Sequence, residues 1–96
     1  PQQTDISQKK KSYAEHKELQ KKIRRIEKAI KESETKIEKL ENKLKVLNEK
    51  LCTPEGASDI NIVSEYTSVN KELSAEEDVW TSLSEELDEQ QKELLH

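Results

Sequence analysis

The chain has one cysteine, one glycine, two prolines, two tyrosines, one tryptophan and no phenylalanine or methionine in 96 residues. Each scarcity excludes something. With one glycine, Gly56, there is no G-x-x-x-x-G-K-[ST] or G-x-G-x-x-G loop to cradle phosphates. Cys52 has no second cysteine for an internal disulfide, which fits a reducing, cytoplasmic setting. It also lacks a neighbouring base to activate it, so it reads as a plain helix-end cysteine. His16 and His96 have no Cys or His partner at ligand spacing, so no metal site is expected. Hydrophobic residues make up 30% and aromatics 3%, too little for a multilayered globular core. No leader-like segment or membrane-length apolar run is present, so no membrane partner is expected.

What the chain has is charge, 40% of all residues, unevenly laid out. Residues 9–31 hold ten Lys or Arg against three Glu. Residues 59–96 hold eleven Asp or Glu against Lys71 and Lys92. Such a composition fits either disorder or a long helix and coiled coil, and periodicity decides between them. From Leu19 the apolar positions run through Ile23, Ile26, Ile30, Ile37, Leu40, Leu44, Leu47 and Leu51, in steps of four and three, with Ser33 filling the single gap. That is a heptad seam at a and d positions. A second seam runs from Ile62 through Tyr66, Val69, Leu73, Glu76, Trp80, Leu83, Leu87 and Gln90 to Leu94. Between them, "TPEGASD" carries Pro54, Gly56 and a capping candidate in Asp59.

The expected organisation is a basic, polar linker over 1–11, a first helix over 12–52, a turn over 53–59 and a second helix over 60–95. Ser12 and Glu15 form a plausible capping box at the first helix's start. The cluster "SAEED" at 74–78 resembles another capping box, but the heptad phase passes through it. That predicts a continuous second helix, with Glu76 snorkelling out of the seam.

Two heptad helices joined by a short connection predict an all-α fold, an antiparallel two-helix coiled-coil hairpin. Pairing residues whose numbers add to 113 sets Leu51 against Ile62 at one end and Leu19 against Leu94 at the other. Flanking g positions then oppose Lys50 to Glu65, Lys43 to Glu72 and Lys22 to Glu93, while Lys36 meets Val79 and Ala29 meets Glu86. On the other flank Glu34 faces Glu77. A monomeric hairpin closes without a second chain, although the same seams also allow pairing between chains in a dimer. Trp80 falls opposite Ser33, the one small seam residue of the first helix, so the pair reads as a packing key that fixes register. The indole N–H then has the Ser33 hydroxyl or water as its partner.

Lys17, Lys21, Arg24, Lys28 and Lys31 alternate four and three on the face away from the seam, with Arg25 beside them. Lys9, Lys10 and Lys11 extend this stripe toward the N-terminus. A solvated coiled-coil face has the same appearance. As a binding surface, the stripe suits phosphate backbones rather than bases, since Tyr13 is the only aromatic near it.

The stretches "KKKSYAEHKELQKKIRRIEKAI" (9–30), "LCTPEGASD" (51–59) and "EEDVWTSLSEEL" (76–87) resemble the C-terminal coiled-coil extension of ABC-F ATPases of the Uup-like branch. The shared pattern is Ser12, Tyr13, Glu15, Glu18 and Leu19 at the opening, the turn around Pro54, and Trp80 with Leu83. The Thr-Pro-Glu-Gly-Ala-Ser turn is similar to that of Bacteroides-type members. His16, where Gln or Lys is commoner, and Val79, where Arg often precedes the Trp, depart from the family pattern. The resemblance implies an accessory arm of a larger ATP-hydrolysing protein that has tandem nucleotide-binding domains and no membrane-spanning part. It implies no catalytic residue, metal or cofactor in these residues, ATP being bound elsewhere in the parent. It also implies contact with DNA or ribosomal RNA. The alternative it allows is a structural or protein-interaction arm that docks on the parent's ATPase domains or on a ribosomal protein.

Overall fold

The seam has to be covered along its whole length, because a helix that leaves its apolar face in water gains little from propensity alone. The computed structural model, which describes the backbone of residues 2–95 and the side chains of residues 13–95, covers it by folding the chain back on itself. Helix α1 runs Gln2–Leu51, a four-residue α2 runs Pro54–Ala57, and α3 runs Ile60–Leu94. The two long helices pack along one another in a rod of 78 × 16 × 15 Å. No helix among the described residues is long and apolar enough to cross a membrane.

Burial follows the two heptad seams. Ile23, Ile26, Ser33, Leu47 and Val69 are buried, and every other seam position except Trp80 is half-buried. Two contacts hold the register at mid-seam. The Ser33 hydroxyl reaches Glu76, and the Trp80 indole reaches Glu34. A slip by one heptad moves one helix about 10 Å along the other. In one direction that slip breaks the first contact and in the other the second, so both together are satisfied by the alignment summing to 113. α3 passes without a break through residues 74–78.

The N-terminal boundary differs from expectation. The helix starts at Gln2 and continues through the stretch read as a linker, so Ser12 and Glu15 lie inside it and form no helix start. Residues 2–11 contain neither Gly nor Pro and are rich in Gln and Lys, which favour helix. The continuation lies beyond Leu94, the last seam residue of α3. Its heptad positions would be His16, Ser12, Lys9 and Asp5, all polar, so the apolar seam stops where its partner stops.

The turn also has more structure than two helix breakers suggest. Thr53 caps α2, accepting from the Gly56 N–H at 3.0 Å while its hydroxyl donates to the Lys50 carbonyl at 2.7 Å. Pro54 sits at the first helical position, where its missing N–H costs nothing. Asp59 then caps α3, accepting from the Asn61 N–H at 2.9 Å. Gly56 is not needed for a left-handed backbone, as no described residue has positive φ. It is needed for space. A Cβ there would collide with the Lys50 carbonyl and sit 2.9 Å from Thr53 Oγ1.

Candidate nucleic-acid interface

The stripe is positioned by the seam. Once a and d residues turn inward, the b, c and f positions of α1 are carried outward. Lys17, Lys21, Arg24, Arg25, Lys28 and Lys31 are all exposed. They span residues 17–31, about 21 Å of helix. Within 4.0 Å one of them has an ion-pair partner: Lys21 lies 3.9 Å from Glu18 on its own helix, both side chains largely solvated. Arg24, Glu27, Lys28 and Lys31 line a shallow surface depression of about 330 Å³. The side chains of Lys9, Lys10 and Lys11 lie outside the described residues, although the helix backbone carries them onward.

α3 contributes no carboxylate to this face by ion pairing within 4.0 Å among the described residues. Among the described residues the second ion pair within 4.0 Å joins Lys92 to Asp88, at 3.1 Å and again within one helix. The facing pairs Lys50/Glu65, Lys43/Glu72 and Lys22/Glu93 therefore stay open, contrary to the neat closure their sequence positions suggest. Exposed pairs of this kind are worth only about 0.2–1 kcal/mol, and ordering two long side chains cancels much of that.

The packing key is rearranged. Ser33, 3% exposed, does not bond the indole. Its hydroxyl donates to the Glu76 carboxylate at 2.6 Å, one layer along the seam. Glu76 thus remains half-buried with a partner, rather than snorkelling free. The Trp80 N–H instead donates to Glu34 Oε2 at 3.4 Å, and the ring is 37% exposed. This places an indole N–H beside one member of the like-charged flank pair Glu34 and Glu77, which gives the pairing of two glutamates a local donor.

No family model, curated protein or solved structure matches the chain. Chemistry at the site therefore has to be judged from its residues. Among the described residues no group of three or more His, Cys, Asp or Glu side chains could hold a metal ion, and Cys52 is a free, exposed thiol.

A feature that sequence reasoning missed lies on the g flank. Lys36, Lys39 and Leu40 of α1 and Glu72, Ala75, Glu76 and Val79 of α3 line a groove of about 500 Å³. The signal for it was Lys36 opposite Val79, one of two g pairs without complementary charge, where a short side chain fails to fill the flank.

Proposed function

We propose that the chain is a nucleic-acid-contacting arm: a coiled-coil hairpin that presents a row of exposed cations to phosphate backbones. The observation that carries this reading is the row from Lys17 to Lys31, which is exposed throughout and, apart from Lys21, free of ion pairs within 4.0 Å among the described residues. A straight helix 21 Å along this stretch holds its charges at fixed intervals, so binding a polyanion costs little ordering of the backbone. Aromatic stacking plays no part, since Tyr13 is the one aromatic near the row. Recognition is accordingly by charge and shape, with DNA and structured RNA as the candidate ligands.

The resemblance to the C-terminal extension of ABC-F ATPases agrees with this reading and implies an arm of a larger ATPase, whose own domains would bind ATP. Docking on those domains or on a ribosomal protein is the competing reading. The half-exposed Trp80 favours it, because tryptophan is enriched among residues that dominate protein interfaces.

Fluorescence anisotropy of the chain with duplex DNA, a four-way junction and a structured RNA tests the proposal. Neutralising about four phosphates predicts a log–log salt slope of about −3.6, hence roughly a 150-fold loss between 50 and 200 mM salt. Replacing Lys21, Arg24, Arg25 and Lys28 each by Glu should abolish binding while circular dichroism stays helical. Absence of wild-type binding at low salt, or binding that survives the replacement, rejects the stripe as the contact surface.

A further inference from the structure

The g flank of the hairpin is complementary to itself. On α1 it carries Lys36, Lys43 and Lys50, and on α3 it carries Glu65 and Glu72, all exposed and none in an ion pair within 4.0 Å among the described residues. Between the two rows lies the groove whose apolar floor is Leu40, Ala75 and Val79, with Val79 47% exposed. Along α3, beside the glutamates, Ser68, Ala75 and Ser82 follow at seven-residue steps, leaving no long side chain to hold a neighbouring helix away.

We propose that a second copy of this chain docks on this flank, with the two arms parallel and related by a two-fold axis along their length. Charge selects that arrangement over its alternative. A two-fold axis across the arm would lay α1 on α1 and set lysine against lysine. An axis along the arm lays α1 of one copy over α3 of the other at the same height. Because Lys43 lies level with Glu72 and Lys50 with Glu65, both of these lysines then meet a glutamate of the other copy. Lys36 comes over Val79, with its methylene stem on the apolar floor and its ammonium toward Glu72. Every adjacent pair of helices in the resulting four-helix bundle is antiparallel, a standard solution for bundles. The seam stays closed within each chain, so this contact is not an exchange of helices. The b and f positions of both copies still face outward, and the dimer would carry two basic stripes.

The experiment is sedimentation equilibrium of the full chain over a concentration and salt series, combined with pulsed dipolar spectroscopy of spin labels on Cys52. That residue is the lone cysteine, exposed at the turn end of the arm. A parallel dimer puts the two labels roughly 20–30 Å apart, the width of two packed helix pairs. Antiparallel copies would separate them by about 60 Å, the length of a hairpin arm. The expected result is a reversible dimer below about 1 mM that weakens as salt rises, with the short distance. Ala75→Arg, on the flank and outside the seam, should raise the dissociation constant at least roughly tenfold without changing the helicity of the monomer. A monomer at every concentration at low salt overturns the proposal. So does a dimer with the long distance, or one indifferent to Ala75→Arg.

Discussion

Ser33 and Glu76 occupy adjacent layers of the seam at positions otherwise suited to apolar residues, and each makes the other tolerable there. The hydroxyl is buried and would lack a partner alone, while the carboxylate at a seam position gains a charge-assisted bond at 2.6 Å. Removing the hydroxyl leaves Glu76 to recruit water through its open side. Ser33→Ala is therefore expected to cost about 1–2 kcal/mol. Trp80→Ala removes a far larger side chain, but the ring is already 37% exposed. Its cost should fall near 2–3 kcal/mol, below the 3–5 typical of a fully buried aromatic. Thermal unfolding followed by circular dichroism ranks the two variants. A Ser33→Ala chain as stable as wild type would mean that solvent alone satisfies Glu76.

At the level of elements, the turn is the most demanding piece of local chemistry. Thr53, Pro54 and Gly56 end one helix and start another within three residues, and the Lys50 carbonyl accepts from both the Thr53 N–H at 3.2 Å and its hydroxyl at 2.7 Å. Gly56→Ala forces a methyl group against that carbonyl and should destabilise the hairpin by about 1–3 kcal/mol, the usual range for overpacking. A melting temperature unchanged in Gly56→Ala would show that the turn relaxes freely. The heptad seams, the hairpin and the outward stripe were legible in the sequence because each follows from spacing along a single helix. Other features depend on competition in space and were not legible. Pro54 and Gly56 look like breakers until Thr53 is seen to cap them into α2. The Trp80 indole had two hydroxyl or carboxylate partners within reach, and Ser33 was already taken by Glu76. The g-flank groove arises from Val79 being too short to fill the space opposite Lys36, which spacing alone does not reveal.

The whole molecule is one layer of helix pairs stacked end to end. Its radius of gyration is 22.1 Å, where a globular chain of this length would have about 12–13 Å. Each layer touches only the layers beside it, so nothing far away props up a weak one. The seam partners near the turn, Leu51 and Ile62, are 11 positions apart in the chain, while Leu19 and Leu94 are 75 apart. Closing the longer loop in one step costs about 2 kcal/mol more. The two most buried apolar residues, Leu47 and Val69 at 3% exposure, also lie in the turn half of the seam, against 8% for Ile23 in the far half. Folding should thus proceed as a zip from the turn, and opening should run the opposite way. Native-state hydrogen exchange is expected to show amides around Leu47 and Val69 as the slowest, with rates rising toward Leu19 and Leu94. Uniform protection along both helices would contradict this order. The basic stripe at residues 17–31 then occupies the compliant end of the rod, and the turn is its stiff end. A polyanion gripping the stripe would feel the hairpin's local opening equilibrium directly, so holding the two helices together there becomes part of the cost or the gain of binding.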